Sequence, residues 1–220
     1  MKKYLIELLV IFVGISASFL VDEHRENIEI DRQVEKSLHS LKAELNSDLR
    51  NLKSLIANID STDKHFSYIL NFSSTSFIDK IVLDKAWQAV TTPRGGKLSL
   101  SVYSAMEASG IIYKIDNDSI RTDILDLYQN WYEKYHNVID YDLIHIQKMD
   151  DIILKNFILL TDNKSWNLDW SIDSNIKEML SNNELRNYIA ANRGTKSIMK
   201  GRANKLIERI QNAISLIDKF

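Results

Sequence analysis

The sequence predicts an all-α protein in which an N-terminal transmembrane helix continues into an exported antiparallel bundle of long helices. Three observations predict this fold. Residues 4–21 are almost entirely apolar, the 220-residue chain has one proline and six glycines, and apolar residues recur at steps of three and four. Because proline and glycine interrupt helices, their scarcity favours long ones. We expect an anchor over residues 1–21 and a bundle domain over residues 22–220.

The first segment has the length and polarity of a membrane anchor. Residues 4–21 contain no charge except Glu7, and two lysines precede them. About 20 apolar residues cross the hydrocarbon core of a bilayer, and basic residues stay on the cytoplasmic side. We therefore predict a single-pass protein of the bacterial inner membrane, with the N-terminus inside and the C-terminal domain in the periplasm.

A cleaved signal peptide is the alternative interpretation of this segment. Residues 16–18 are small-x-small and the start is basic, as such peptides require. Glu7 favours the uncleaved anchor, because a carboxylate is costly inside the apolar region of a membrane helix. No extended break for a peptidase follows the segment, since the polar sequence continues at helical spacing. Under either interpretation, most of the chain is exported across the membrane.

Three residues within the predicted anchor are candidates for a role in the membrane. Glu7 either reaches back to the inner interface near Lys3, pairs with a polar group of a partner helix, or binds a proton. Gly14 and Ser18 form a small-xxx-small pair, which allows two helices to approach closely. The pair therefore indicates helix packing.

Composition excludes several classes of function. The formal net charge is −2, which gives no electrostatic case for nucleic acid as a partner. Cysteine is absent, so disulfides, thiolate metal sites and cysteine nucleophiles are excluded. The sequence gives no reason to expect a cofactor.

A long amphipathic helix is predicted to follow the anchor without a break. Residues 22–72 contain neither proline nor glycine. Apolar residues form a heptad seam with one longer step after Leu45. This pattern favours an amphipathic helix of a bundle, and a free-standing coiled coil is the alternative. The same seam is a candidate surface for self-association, and its residues are Val34, Leu38, Leu41, Leu45, Leu49 and Leu52.

The remaining chain is predicted to form further helices separated by polar turns. Asp118 or Ser119 is expected to cap the longest of them, and Gly194 to interrupt the chain near its end. Lys196 is assigned to the basic face of the last helix, which is either solvated or docks to anionic lipid or an acidic partner. The predicted helices cover residues 77–90, 98–109, 119–160, 173–191 and 195–217, with turns or linkers at 91–96 and 161–173.

The helix over residues 119–160 carries an aromatic stripe at positions i, i+3, i+4 and i+7. This spacing places the four rings on one helical face. Such a stripe is typical of helix–helix packing, and less often lines a ligand pocket or a face that binds a partner. Its members are Tyr128, Trp131, Tyr132 and Tyr135.

Two stretches, residues 4–26 and 103–132, resemble a bacterial domain-of-unknown-function family of single-anchor membrane proteins. The resemblance covers roughly residues 4–135. It departs from the family at residues 22–24, where members have Asn-Trp after the membrane helix. It implies a membrane anchor with an exported helical domain, and no activity. The positions that match are Glu7, Tyr103, Ser109, Gly110, Asn117, Asp118, Ile120, Arg121 and Tyr128.

No catalytic constellation is evident in the sequence. None of the five histidines pairs with another at helical spacing, so no two-histidine metal face is predicted. No serine nucleophile motif occurs either. We therefore predict a non-enzymatic scaffold or accessory subunit that binds the lipid bilayer and either itself or a partner membrane protein. The alternative is a small-ligand sensor bundle that signals through a partner membrane protein.

Overall fold

In the computed structural model, the chain is helical throughout almost all of the residues that the structure describes, which confirms the all-α bundle. The backbone is described for residues 2–73, 77–96, 98–156 and 173–220, and side chains for 11–73, 77–96, 98–156 and 176–220. The α-helices are α1 (Lys2–Leu70), α2 (Lys80–Thr91), α3 (Ser101–Ala108), α4 (Asp118–Asp126), α5 (Glu133–Asn156), α6 (Asp173–Ser181) and α7 (Asn183–Ile217), with a 3₁₀-helix at Ile111–Lys114 and a π-helix at Leu127–Tyr132.

The first helix is one uninterrupted rod of 69 residues. At 1.5 Å per residue it is about 100 Å long. Side chains over residues 11–29 are exposed apart from half-buried Ser16, and the packed core begins near Ile30 and Val34. The predicted continuity of the N-terminal segment with the bundle helix is confirmed, and its described N-terminal part makes no packing contact with the bundle core.

Buried side chains of α1 follow an unbroken heptad from residue 34 to residue 69. The predicted longer step between Leu45 and Leu49 is wrong, because Asp48 is the buried seam residue and Leu49 is only partly buried. Asp48 is polar but occupies a seam position, where an apolar residue is expected. The seam consists of Val34, Leu38, Leu41, Leu45, Asp48, Leu52, Leu55, Ile59, Thr62, Phe66 and Ile69.

Three long rods build the bundle. The second rod is continuous from α4 through the π-helix to α5, since the junction residues keep helical backbone angles. α7 runs antiparallel to α1, because Asp60 pairs with Lys200 while Asp63 pairs with Arg193. Apolar seams of the three rods face one another, as in other helical bundles. α2 covers the far end of α1 and α3 packs near its middle.

Two predicted helix boundaries are corrected by the structure. Asn117, not Asp118 or Ser119, caps α4, because its side chain accepts from the N–H groups of residues 119 and 120. α7 continues through Gly194, and the break lies at Asn182, whose side chain accepts from Leu185 N–H. A glycine within a helix costs only about 1 kcal/mol, which burial of the flanking side chains outweighs. The predicted linker over residues 161–173 lies, except for residue 173, outside the described residues.

The turn after α2 is held against the other rods. Gly95 has φ of 124°, a conformation that favours glycine. An added Cβ there would lie 3.1 Å from Ile139 Cγ1 and 3.4 Å from Met199 Sδ. This close approach places the backbone N–H of Arg94 3.2 Å from Oδ2 of Asp142.

Candidate functional site

An apolar surface surrounds the N-terminal part of α1. Successive residues of an α-helix are rotated by about 100°, so a run of exposed apolar residues covers every side. A helix that is apolar all round is normally buried in protein or lipid, and contiguous exposed apolar surface marks a contact site. The exposed residues are Ile11, Phe12, Val13, Ile15, Phe19, Leu20 and Val21.

Within the part of the chain that the structure describes, no helix has a stretch both long and apolar enough to span a bilayer. The anchor predicted over residues 4–21 stays a prediction. The side chains of residues 4–10 are not among those described. The side chain of Glu7, the predicted membrane carboxylate, therefore lies outside the described part, and its role stays a prediction.

The predicted helix-packing pair lies on the exposed part of α1. A Cβ added to Gly14 would meet no atom within 4 Å. The hydroxyl of Ser18 donates to the carbonyl oxygen of Gly14 at 3.0 Å, so this polar group is satisfied within its own helix. Because both side chains are small and the hydroxyl needs no further partner, a second helix can approach this face closely. The packing role of the pair stays a prediction.

The predicted oligomer seam is already occupied within one chain. Leu41 and Leu45 are fully buried in the core that includes Ala203 and Leu206 of α7. Pairing of two chains through this seam would require α7 to leave α1. Self-association through any other surface stays a prediction. The predicted seam residues that are buried here are Val34, Leu38, Leu41, Leu45 and Leu52, and Leu49 is partly buried.

The aromatic stripe of the second rod is a stack of buried rings. The centroids of Tyr128 and Tyr132 are 4.5 Å apart, and Tyr103 of α3 stacks on Tyr128 at 4.3 Å. Both residues of the first pair belong to the π-helix, whose wider turn keeps side chains four residues apart in line. Tyr135 is also buried. These three stripe tyrosines therefore serve as packing surface in the structure.

Trp131, the fourth member of the stripe, lies at the edge of the core. Its indole N–H donates to Oδ2 of Asp126 at 3.0 Å. The cationic groups of Lys134 and Arg209 each lie 5.0 Å from the ring centroid. These contacts fix the ring between α7 and its own helix by cation–π attraction.

Two carboxylates of α1 lie beside the tyrosine stack. Oε2 of Glu44 accepts from the hydroxyls of Ser99 at 2.5 Å and Ser101 at 2.7 Å, and from the N–H of Val102 at 3.2 Å. The last contact caps the start of α3, where Leu100 provides no side-chain cap. Oδ2 of Asp48 accepts from the hydroxyl of Tyr132 at 2.7 Å. We call Glu44, Asp48, Tyr128 and Tyr132 the tyrosine–carboxylate cluster.

Burial dominates the acid–base properties of this cluster. It raises the pKa of Asp48, against the opposing effect of the hydrogen bond from Tyr132. Burial also raises the pKa of Tyr128 and Tyr132, and that of Tyr135 to about 12. The tyrosines are therefore protonated donors at neutral pH. The cluster satisfies its carboxylates with neutral hydroxyl groups and contains no cation.

A second buried polar cluster joins α5 to α7. Nζ of Lys196 lies 2.6 Å from Oδ2 of Asp142, with both side chains almost fully buried. Nδ2 of Asn192 donates to Oδ1 of Asp142 at 2.8 Å. Burial lowers the pKa of Lys196, while Asp142 opposes this shift. We call Asp142, Asn192 and Lys196 the lysine–aspartate cluster. The prediction that Lys196 lies on a solvated face is wrong.

Heptad position is a sequence signal shared by Asp48 and by the three residues of the lysine–aspartate cluster. In α7 the buried residues recur at steps of three and four, and Asn192 and Lys196 occupy two of those steps. Asp142 has the same place between Ile139 and Ile146 of α5. A search for apolar residues alone passes over such positions. Polar residues in a seam are known to specify helix register.

A surface groove of about 530 Å³ lies between α1 and α7. Two half-exposed ion pairs border it, Asp60–Lys200 at 2.5 Å and Asp63–Arg193 at 2.7 Å. We call this the α1–α7 groove. Ile59, Phe66 and Ala190 provide its apolar wall, and Gly194, Lys196 and Ser197 also line it.

Among the described residues, no group of three or more histidine, aspartate or glutamate side chains is arranged to hold a metal ion. In the part of the chain that the structure describes, the carboxylate and amino side chains that are buried belong to the two clusters, and they are Glu44, Asp48, Asp142 and Lys196. Comparisons with protein-family models, curated proteins and solved structures found no match to this chain. The resemblance to a family of single-anchor membrane proteins therefore stays a prediction.

Proposed function

We propose that the protein is a membrane-tethered helical interaction protein that acts as a scaffold or accessory subunit for a partner. Residues 4–21 anchor it in the bacterial inner membrane with the N-terminus inside, and the bundle lies in the periplasm. The observation that carries the proposal is the exposed apolar surface on the N-terminal part of α1. Exposing apolar surface around a whole helix to water is costly in free energy, and insertion into lipid removes that cost without any further partner.

The continuity of α1 supports a tether that also positions the bundle. About 13 residues separate Val21 from Val34, which corresponds to about 20 Å of helix. Residues 22–29 of this neck are exposed, and Arg32 forms hydrogen bonds with Glu29 at 2.9 and 3.0 Å. A rigid, solvated spacer holds the bundle away from the bilayer, where it is available to a partner protein.

Membrane extraction tests the anchor. We expect detergent to release the full chain from membranes, and carbonate or salt to leave it there. Ile15→Lys combined with Phe19→Lys should weaken insertion, because each lysine at mid-membrane costs about 2.5–3.5 kcal/mol. Ile28→Lys is the matched control, since Ile28 is equally exposed but lies in the neck. Release of the unaltered protein by carbonate would contradict the anchor.

The absence of cysteine makes the orientation testable with one substitution. A single cysteine at Ser215, an exposed position near the end of α7, introduces the only thiol of the chain. A membrane-impermeant maleimide should label it in cells whose outer membrane alone is permeabilised. Labelling that requires rupture of the inner membrane would place the bundle in the cytoplasm.

A further inference from the structure

The basic residues of α7 divide into a paired and an unpaired group. Each base of the first group pairs with an aspartate of α1 or α5, whereas the second group forms no ion pair with any residue that the structure describes. The second group therefore carries positive charge that no described ion pair neutralises. The paired bases are Arg193, Lys196 and Lys200, and the unpaired bases are Arg202, Lys205 and Arg209.

The unpaired bases follow one flank of the contact between α7 and the second rod. Two contacts fix the register of this flank. The guanidinium group of Arg209 lies 5.0 Å from the ring centroid of Trp131, and Oγ1 of Thr195 lies 3.2 Å from Nδ1 of His145. Between these contacts the second rod advances from 131 to 145 and α7 from 195 to 209, about 21 Å of helix in each case.

Exposed apolar side chains lie between the two contacts. Tyr141 of α5 is 60% exposed and Ile198 of α7 is 56% exposed. Tyr141 precedes His145 by four residues and Ile198 follows Thr195 by three, so both continue the flank, one turn from the same contact. We use the name aromatic–basic strip for Trp131, Tyr141, Ile198, Arg202, Lys205 and Arg209.

Carboxylates are scarce along this strip. Positions 134, 138, 141 and 145 of the second rod and 198, 202, 205 and 209 of α7 include none, and the ammonium group of Lys134 adds a further cation 5.0 Å from the ring of Trp131. Asp126 lies at one end, where it accepts the indole N–H of Trp131. Asp123 is within electrostatic reach of Arg209, and Glu208 is the one carboxylate of α7 between residues 202 and 209. Aromatic rings and arginine with few acidic residues are typical of protein interfaces.

The distance of the strip from the predicted anchor distinguishes lipid from protein as its occupant. α7 runs antiparallel to α1, and Asp218 beyond its end pairs with Lys42, so the strip lies still further along α1. Lys42 is itself about 30 Å of helix beyond Val21. Charges in solution act over only about 8 Å at physiological salt. Anionic lipid is therefore out of reach, and so is the acidic neck of a second copy in the same membrane.

We propose that the aromatic–basic strip binds an acidic amphipathic helix of a partner protein, with its carboxylates on Arg202, Lys205 and Arg209 and its apolar side chains against Tyr141 and Ile198. The three bases stand at positions i, i+3 and i+7 of α7, which a row of carboxylates at helical spacing matches. The choice of protein over lipid rests on the proposed anchor, whereas the binding chemistry does not. The strip gives the scaffold role a surface and a class of partner.

Fluorescence polarisation tests the strip with the full chain in mild non-ionic detergent. The probe is a labelled helical peptide of about 14 residues, as long as the strip, with glutamates along one side and leucines along the other. The control peptide has glutamine in place of every glutamate. We expect saturable binding of the probe that weakens as salt is raised, and at least about tenfold weaker binding of the control. Equal affinities, or no saturable binding, overturn the proposal.

The two groups of bases on α7 supply matched variants. Arg202→Gln with Lys205→Gln removes two charges from the strip, and Arg193→Gln with Lys200→Gln removes two charges from the paired group. All four positions are exposed or half-buried, and glutamine favours helix, so both proteins are expected to fold, which circular dichroism checks. We expect at least about tenfold weaker probe binding in the first variant and unchanged binding in the second. Loss in both, or in neither, overturns the proposal.

The apolar part of the strip has a matched pair of its own. Ile198→Ser removes an exposed apolar side chain from the strip, whereas Leu154→Ser removes one that is 59% exposed on α5 outside it. We expect at least about fivefold weaker probe binding for Ile198→Ser, because its side chain is buried by the ligand helix, and no change for Leu154→Ser. Equal affinities of the two variants contradict the proposal.

Nanodiscs distinguish protein from lipid as the occupant. The full chain in discs of phosphatidylcholine should bind the probe, and replacing about one third of this lipid by anionic phosphatidylglycerol should leave the affinity unchanged at physiological salt. Loss of probe binding in the anionic discs would mean that lipid occupies the strip, which overturns the proposal. Carbonate extraction tests the anchor separately, so failure of the anchor and failure of the strip are distinguishable.

Discussion

Each of the two buried polar clusters has an aspartate at a seam position, Asp48 or Asp142, but the two clusters satisfy their carboxylates in different ways. In the lysine–aspartate cluster, a cation 2.6 Å away neutralises Asp142. In the tyrosine–carboxylate cluster, Glu44 and Asp48 lie four residues apart on α1 and receive only hydroxyl and backbone donors. The first cluster thus contains an ion pair, and the second retains carboxylates among neutral groups.

This difference predicts how each cluster responds to change. Removing one partner of a buried ion pair leaves an uncompensated charge in a low dielectric medium, whereas removing one hydroxyl leaves a carboxylate with its other donors. The lysine–aspartate cluster should therefore be the more sensitive to substitution. The tyrosine–carboxylate cluster should instead cost less folding stability on acidification, because burial raises the pKa of Asp48 and protonation removes a charge that no cation balances.

The largest effect is expected from Lys196→Met. The substitution leaves Asp142 charged and buried, which we expect to lower the free energy of unfolding by about 3–5 kcal/mol. Chemical denaturation of the full chain in detergent, followed by circular dichroism, measures the change. Lys200→Met is the control one turn away. Its pair with Asp60 is half-exposed and should contribute about 0–1 kcal/mol.

Removal of both charges sharpens the same comparison. In Asp142→Leu with Lys196→Met, no charge remains to be desolvated, so most of the lost stability should return. A double variant as unstable as Lys196→Met alone would show that packing around Lys196, and not its charge, determines the loss.

A smaller effect is expected from Tyr132→Phe. Asp48 loses its 2.7 Å hydroxyl donor and retains the N–H of Ser99 at 3.4 Å. We expect a loss of about 1–3 kcal/mol in unfolding free energy. Tyr135→Phe is the control, since the hydroxyl of Tyr135 donates at 3.4 Å to the uncharged carbonyl of Gly96. Equal losses in the two variants would contradict a special role for the carboxylate.

The smallest effect concerns pH. Burial raises the pKa of Asp48, so the folded protein holds a proton there at pH values where the unfolded chain has released it. Ionisation of Asp48 therefore costs folding stability above its raised pKa, and this cost disappears as pH falls towards the ordinary value of about 3.9. Asp48→Asn is neutral at every pH and keeps an acceptor for Tyr132.

The variant and the unaltered protein are compared by denaturation between about pH 4 and pH 8. We expect any stability advantage of Asp48→Asn to be greatest near neutral pH and to shrink on acidification. Groups common to both proteins, including Asp63 with its pKa lowered by Arg193, cancel in the difference. An advantage that grows as pH falls would mean that Asp48 is ionised more readily in the folded state.

Periodicity was sufficient to predict the helices, because apolar spacing records which face of each helix is buried. The uninterrupted α1 and the burial of Leu41 and Leu45 follow directly from that spacing. The prediction that Gly194 breaks the helix is wrong, because the low helix propensity of one glycine is a small effect compared with burial of the α7 seam residues on both sides of it. The break lies instead at Asn182, which caps the start of α7 and is of a residue type that the sequence contains in many places.

The buried polar residues were not predictable from apolar spacing. Asp48, Asp142 and Lys196 stand at seam positions, but a charged residue there is interpretable only once its partner is known. Those partners come from helices distant in the chain, such as Lys196 for Asp142, 54 residues away. The α1–α7 groove depends equally on how two distant helices pack, so no local pattern identifies it.

Because α1 is one uninterrupted helix, rotation at its N-terminal end is coupled to the part that packs in the bundle. From residue 15 to its end at Leu70, α1 contains no proline or glycine to act as a hinge, so a rotation of its N-terminal end about the helix axis is passed on to the seam. Such a turn carries Asp48 away from the hydroxyl of Tyr132 and towards apolar neighbours. The cost of leaving the buried carboxylate without this donor opposes the rotation, so Asp48 helps to fix the orientation of the exposed N-terminal end of α1 relative to the bundle.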